Sequence, residues 1–290
     1  MDVEFHRRQT NGISLYCAEA GPSDGPLVFL LHGFPEFWYG WRHQIGPLAR
    51  AGFHVLAPDQ RGYDESDKPK GVAAYDLDRL AADIAGLADS FGRARFAVVG
   101  HDWGACVGWW TARNYPSRVV SLAVLNGPHP AVLKQAMLHS RKQRRLSRYV
   151  GFFGIPILPE LIIKIGGYRL FVAALGGAKP ADAFTGSDIA KYRAAWTMPG
   201  ALTAMLNWYR AVIRKNISLD REPRLTTPVR IIWGVNDAYM VPELAGQSAR
   251  LCEDAKILYL ENATHWVAHD EPERVTRALL EFLSPLITDG

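Results

Sequence analysis

The sequence predicts an α/β fold, a mostly parallel sheet flanked by helices and carrying an inserted helical segment. Three observations predict it. Short β-rich runs alternate with helical ones at both ends of the chain, the pattern of a parallel sheet covered on both faces. The middle stretch, about Pro130 to Asn216, is helical and turn-rich with no strand pattern. Between them the pentapeptide Gly100-His101-Asp102-Trp103-Gly104 follows the apolar run Phe96 to Val99, as at a tight strand-to-helix corner.

Taken in order, Ile13 to Ala18, Leu27 to Leu31 and His54 to Ala57 read as strands. Tyr75 to Phe91 places Leu77, Leu80, Ile84 and Leu87 at helical spacing. Phe96 to Val99 and Ser121 to Leu125 are strands separated by a helix beginning near Gly104. After the middle stretch, Val229 to Trp233 and Ile257 to Leu260 are strands, and Pro242 to Leu251 and Glu273 to Leu283 are helices. The domain reading is therefore a core in two parts, 1–129 and 217–290, interrupted by a helical cap, 130–216. Ligands of open α/β sheets bind at the carboxyl edge, so the insertion is placed above that edge.

With 290 residues, 48% of them hydrophobic and 21% charged, the chain has the composition of a globular enzyme able to bury a large core. The net charge of +4 is modest, and its visible concentration is Lys134, Arg141, Lys142, Arg144, Arg145 and Arg148. No nucleic-acid motif accompanies that run, so it is read as a solvated helix face and no nucleic-acid partner is expected. Cys17, Cys106 and Cys252 lie far apart without a C-x-x-C pair, which fits a reducing compartment, the cytoplasm. Met1 to Arg8 lacks the apolar core of a secretion signal. Val150 to Ala178 is the longest apolar stretch, but Pro156, Pro159, Glu160, Lys164 and Arg169 interrupt it. It is read as buried or cavity-lining, with no stable membrane insertion. Oligomeric state leaves no sequence signal.

The pentapeptide carries the chemistry. Glycines flank its centre because a sharp corner leaves no room for side chains, and the central residue is held in a strained conformation over the sheet. A serine there would serve acyl transfer. Asp102 is a carboxylate, poor at opening amides but able to displace a leaving group from saturated carbon and form an alkyl ester. Releasing that ester requires water and a base. His265 follows the strand Ile257 to Leu260 through a short loop, and Asp237 lies just past Val229 to Trp233. Asp237 would orient the imidazole and stabilise its cation. His32-Gly33-Phe34-Pro35 follows Leu27 to Leu31, where an oxyanion donor is expected. The backbone N–H groups of Phe34 and Trp103 should face the oxyanion that develops on Asp102. His32 and His101 are read as local hydrogen-bonding residues. Neither has a second ligand at helical spacing, so no metal is expected.

These residues resemble the epoxide hydrolases of the α/β-hydrolase fold. The resemblance is carried by HGFPEFWYGWRHQ from His32 to Gln44, by Asp59-Gln60-Arg61-Gly62-Tyr63 with Ser66-Asp67-Lys68-Pro69, and by Gly100 to Ala105. It implies the α/β-hydrolase fold, with a mostly parallel eight-stranded sheet and an inserted helical cap, and two cap tyrosines above the nucleophile. One precedes a Phe-x-x-Pro turn, here Tyr149 before Phe153-Gly154-Ile155-Pro156. The other lies in Asn207-Trp208-Tyr209-Arg210. Phe152-Phe153-Gly154 departs from the Tyr-Phe-Gln often found in the family at the first position. Two phenols make chemical sense, because opening an epoxide generates an alkoxide that a phenol can hold and protonate. The resemblance also implies that Glu36 positions the hydrolytic water or His265, and that no cofactor is needed.

An apolar substrate is expected from the apolar residues of the insertion, with Trp103, Phe153, Ile155, Trp196 and Leu206 as candidate contacts beside Phe152, Ile157, Leu158 and Met198. The partners are thus a small apolar epoxide and water, and such chemistry serves detoxification, catabolism and secondary metabolism alike. Two other readings remain. A haloalkane or haloacid dehalogenase shares the aspartate nucleophile and the His/Asp pair, but a halide calls for N–H donors rather than two phenols. A non-catalytic binding protein on the same scaffold would be expected to carry a broken nucleophile–acid–base set.

Overall fold

The computed structural model describes residues 3–215, 217 and 224–288. Eight strands form one sheet: β1 (Glu4–Thr10), β2 (Ile13–Ala20), β3 (Leu27–Leu31), β4 (His54–Pro58), β5 (Phe96–His101), β6 (Val119–Leu125), β7 (Val229–Gly234) and β8 (Ala255–Leu260). Their spatial order is β1-β2-β4-β3-β5-β6-β7-β8. β2 pairs antiparallel with β1 and β4. From β4 through β3 to β8 every pairing is parallel.

β1 is absent from the sequence reading. Its residues, EFHRRQT, are mostly charged or polar and mostly solvent-facing. Its ladder with β2, from Glu4 opposite Glu19 to Thr10 opposite Ile13, supplies what an apolar face does elsewhere. The central strands β3, β4 and β5 are instead buried at every position.

Alternation along these strands separates two apolar layers. Leu31, Val98, Val124 and Ile231 pack on one side of the sheet. Leu30, Val99, Leu125 and Ile232 pack on the other. The helices of the first half are α1 (Ile45–Arg50), α2 (Leu77–Ser90) and α3 (Trp103–Asn114). α2 starts where the Asp76 side chain accepts from the Asp78 N–H at 2.9 Å, a side-chain cap for an otherwise orphan donor.

Between β6 and β7 the chain is helical. The elements are α4 (Pro130–His139), α5 (Arg141–Leu146), α6 (Arg148–Gly154), α7 (Leu158–Ile165), α8 (Arg169–Leu175), α9 (Gly186–Thr197) and α10 (Ala201–Arg214). The expected end of the insertion, Asn216, lies outside the described residues. After β7 come α11 (Glu243–Ala249), then β8, α12 (Val267–Asp270), α13 (Pro272–Leu283) and α14 (Pro285–Thr288). Among the described residues no helix is long and apolar enough to cross a membrane.

Arg210 explains part of the cohesion of the helical segment. Its Nη1 and Nη2 donate to the Glu160 carboxylate at 2.8 and 2.9 Å, and Nη2 also donates to the Ile155 carbonyl at 2.8 Å. Both side chains are almost wholly buried. One guanidinium of α10 thus holds α7 and the end of α6. Arg210→Ala leaves a buried carboxylate unpaired, and we expect a loss of about 3–5 kcal/mol in urea unfolding. Trp208 and Trp196 tie the segment to the sheet's loops, donating from Nε1 to the Arg61 and Pro35 carbonyls at 3.0 and 2.6 Å.

Candidate active site

Asp102 ends β5 and caps α3 with φ 51° and ψ −115°, a conformation few non-glycine residues adopt. The flanking glycines make it possible. A Cβ on Gly104 would collide with the backbone of Leu31, and one on Gly100 would collide with the backbone of Gly104. Gly33 is constrained by the site itself, since a Cβ there would meet the Asp102 Cβ at 2.6 Å. The result is a carboxylate only 8% exposed, yet facing cavities on two sides.

Three elements converge on it. Phe34, from the loop after β3, donates its N–H to Asp102 Oδ1 at 2.9 Å. His265, from the loop after β8, places Nε2 3.5 Å from Asp102 Oδ2. Its other nitrogen, Nδ1, lies 2.8 Å from Asp237 Oδ2, beyond the end of β7. Asp237 is itself fixed on every side. Its Oδ1 accepts from the Tyr239 and Met240 N–H groups at 2.7 and 3.0 Å, and its Oδ2 also accepts from Asn126 Nδ2 at 2.7 Å.

Asn126 escaped sequence reasoning. It follows β6, is fully buried, and accepts from the Gly234 N–H at 2.8 Å while donating to Asp237. The only trace in the sequence is an amide residue at a strand's carboxyl end beside Gly127 and Pro128. Asn126→Ala is expected to lower kcat roughly 10-fold to 100-fold, as loss of an orienting partner does elsewhere, with KM changed little in steady-state assays.

Charge sets the protonation states. Burial opposes a charge on His265, but the carboxylates of Asp237 and Asp102 outweigh it and carry the imidazolium to about 10. Burial likewise opposes ionisation of Asp102, and the bonded His265, the nearby His101 and the Phe34 N–H override it, holding the carboxyl below its ordinary value. The resting pair is therefore carboxylate and imidazolium.

Tyr149 on α6 and Tyr209 on α10 stand over this corner, their rings 6.0 Å apart, and both line the two cavities that meet at Asp102. Burial raises both phenols far above the usual value. Tyr149 is pushed further by Asp102 and Asp237, and Tyr209 by Tyr149 and Asp102. They stay protonated and act as hydrogen-bond donors. The Trp103 ring packs edge-on against the Tyr209 ring, their centroids 4.9 Å apart. Trp103 also opens α3, so its backbone N–H has no intrahelical acceptor.

The larger cavity, about 560 Å³, runs from Asp102 past Phe34, Phe153, Phe171, Tyr239 and Trp266 to Ile162 and Leu170. The smaller, about 260 Å³, follows α4 and α10 past Leu133, Met137, Val212 and Ile213, with Lys134 as the one cation among the described residues that line it. Tyr239 was not expected at the site. Its ring lies 5.0 Å from that of His265.

Several expected contacts need correction. Trp103 and Phe153 line the cavities, as does Phe152, but Ile155, Trp196 and Leu206 line neither. Ile155 is 43% exposed on the outer surface. Trp196 is buried with its N–H committed to the Pro35 carbonyl, and Leu206 is buried in the helical core. Val150 to Ala178 is not simply buried or cavity-lining either, because Ile157, Leu158, Leu161 and Ile165 face solvent.

Glu36, expected to position the hydrolytic water or His265, reaches His265 through His101. It lines neither cavity, and its oxygens are committed to His101 Nδ1 at 3.1 Å, His269 Nε2 at 2.8 Å and the Tyr192 hydroxyl at 2.7 Å. Arg42 donates to His269 Nδ1 at 3.0 Å, so His269 presents Nε2–H to Glu36 and is neutral. Burial, which pulls His269 below its usual value, agrees. His101 Nε2 faces the His265 carbonyl at 2.8 Å and must donate there. Glu36 thus braces the backbone of His265 through His101 and touches neither reacting side chain. His32 bonds its own loop, with Nδ1 at 2.9 Å from the Gly33 carbonyl and Nε2 accepting from the Gln60 N–H. Among the described residues no group of three His, Cys, Asp or Glu side chains is placed to hold a metal ion.

Comparison with known proteins places this geometry in a family. Residues 26–156 match the α/β hydrolase fold family. A Bacillus subtilis protein, AB hydrolase superfamily protein YfhM, is 43% identical over 274 residues, covering 94% of this chain and 96% of its own. Epoxide hydrolase A of Mycobacterium tuberculosis is 34% identical, covering 96% of each chain. Epoxide hydrolase 4 of Mus musculus is 35% identical over 96% of this chain and 79% of its own. Among solved structures, a Bacillus megaterium epoxide hydrolase in complex with an inhibitor superposes with TM-score 0.86 at 31% identity, covering 96% of this chain and 100% of that one. The similarity covers nearly the whole chain, and the chain belongs to the epoxide hydrolase family of the α/β-hydrolase fold.

Proposed function

We propose that the protein converts an apolar epoxide and water to a vicinal diol through a covalent hydroxyalkyl ester on Asp102. The observation that carries this reading is the pair of phenols, Tyr149 and Tyr209, that line both cavities together with the Asp102 carboxylate. Asp102 Oδ2 attacks one ring carbon from behind, the carbon–oxygen bond breaks, and the departing alkoxide takes a proton from a phenol. Oδ1, already bonded to the Phe34 N–H, becomes the ester carbonyl oxygen.

Forming the ester removes the charge of Asp102, one of the two carboxylates that hold the proton on His265. The imidazolium then gives its proton to solvent, and the neutral imidazole acts as base while Asp237 keeps it oriented. It takes a proton from water, and the hydroxide adds to the ester carbonyl. The Phe34 and Trp103 N–H groups receive the tetrahedral oxyanion. Collapse expels the diol oxygen, which is protonated by His265, and the phenol recovers its proton from solvent. The helices between β6 and β7 serve as the cap, dividing the core into the parts before 130 and after 216. The free cysteines fit the reducing cytoplasm.

A halide-releasing reading is less well served. Two phenols, Tyr149 and Tyr209, line both cavities with Asp102, and phenols suit an alkoxide better than a halide. Incubation with styrene oxide, and separately with a chloroalkane and fluoroacetate, tests the choice. We expect diol from the first and no halide from the others. Halide without diol would establish dehalogenation, and no single turnover of any epoxide would leave a binding protein.

A further inference from the structure

α7 is apolar on both faces: Ile163 is buried in the core, and a second apolar stripe faces outward. Leu158, Leu161, Ile162 and Ile165 recur at helical spacing and are 47%, 51%, 48% and 86% exposed. The side turned inward holds the Glu160 carboxylate, which needs Arg210 to be tolerated there. Ile157 just before the helix is 69% exposed and Leu170 on α8 is 49% exposed, extending the stripe beyond one helix. Single exposed apolar side chains are ordinary, but a contiguous set of this kind marks a surface that is covered in use.

Two observations identify what covers it. From Arg141 to Leu175 every exposed charged side chain is basic, including Lys164 and Arg169 beside the stripe, and Glu160, the lone acid, is buried in its ion pair. Arg193 joins them, donating to the Gly167 carbonyl in the turn between α7 and α8. An apolar stripe rimmed by cations matches a bilayer interface with anionic headgroups. A twofold pairing with a second copy would instead set these cations against one another. In addition, Ile162 and Leu170 also line the larger cavity, so the stripe and the passage to Asp102 are continuous.

We propose that the outer face of α7 and Leu170 seats the protein on an anionic lipid surface, and that an apolar substrate passes from the bilayer into the cavity at Ile162 and Leu170. The second half of this proposal rests on the epoxide reading above, whereas the seating itself does not.

Co-sedimentation with vesicles of phosphatidylcholine alone and of equimolar phosphatidylcholine and phosphatidylglycerol reads the seating without turnover. The intact protein should partition onto the anionic vesicles and be released by high salt. Ile165→Glu, with Leu161→Glu as a second variant, should cut the bound fraction about tenfold or more while leaving Tm and hydrolysis of dissolved styrene oxide unchanged. Lys164→Gln and Arg169→Gln should each weaken binding to anionic vesicles about fivefold. A long-chain epoxide dissolved in those vesicles should be hydrolysed about tenfold more slowly by Ile165→Glu than by the intact protein, in proportion to the lost bound fraction. Failure of the intact protein to bind anionic vesicles, or equal binding by Ile165→Glu, overturns the seating. A dimer in sedimentation velocity that Ile165→Glu abolishes also overturns it, in favour of self-association. Vesicle binding with no epoxide hydrolysed in any form overturns the functional reading alone.

Discussion

His265→Gln is expected to form the ester and then stall. Steady-state turnover should fall about 10²-fold to 10⁴-fold, the usual contribution of a positioned base. One equivalent of protein–substrate adduct should accumulate on mixing with epoxide, seen by intact-mass spectrometry and placed on Asp102 by peptide mapping. The first step survives because the Asp102 carboxyl is unchanged and the Phe34 N–H still holds Oδ1 at 2.9 Å. Normal turnover by this variant, or label found away from Asp102, would rule out the scheme.

The same residue makes stability depend on pH. His265 carries its proton to about 10 in the folded protein, because Asp237 and Asp102 outweigh burial, against an ordinary value of about 6.5. A group raised in this way contributes stability that is fully present below its unfolded value and is lost as pH rises through its folded value. Thermal unfolding followed from pH 6 to about 10 should therefore show a decline in Tm that is smaller in His265→Gln.

The second large effect concerns the phenols. Tyr149→Phe and Tyr209→Phe should each slow ester formation about 10²-fold, and the double variant should slow it about 10⁴-fold, since an unprotonated alkoxide is a poor leaving group. The substitution is conservative in packing. The Tyr209 ring keeps its places 5.1 Å from Phe34, 4.9 Å from Trp103 and 5.0 Å from Phe153. Rapid quenching with mass spectrometry measures the step directly, and combining both substitutions with His265→Gln removes hydrolysis from the reading. An adduct formed by the triple variant at the rate of His265→Gln alone would assign the phenols to packing. Loss in only one single variant would assign the acid to that tyrosine.

How much of this was legible varies with distance along the chain. The Asp102 corner could be read because its constraint is local: Gly100 and Gly104 are small for reasons found within a few residues and one neighbouring strand. Asp237 and His265 could be placed by their positions after strands, since strand ends of a parallel sheet share one edge. Asn126 could not, because its meaning is a 2.7 Å bond to a carboxylate 111 residues away. β1 was invisible because backbone pairing, rather than an apolar pattern, stabilises it. Ile155, Trp196 and Leu206 were misplaced for a third reason. Hydrophobicity says that a side chain prefers to leave water, and it does not say whether a core, a cavity or a partner surface receives it.

The amino-acid order by itself determined the alternating sheet, the strained acidic corner and the presence of two tyrosines in the helical insertion, because spacing and local sterics are written residue by residue. Only the tertiary structure decided that those tyrosines share a wall with Asp102, that Glu36 braces the His265 backbone through His101, and that α7 turns Leu158, Leu161, Ile162 and Ile165 outward. Each of these depends on distances between segments far apart in the chain, which packing sets and no local pattern encodes.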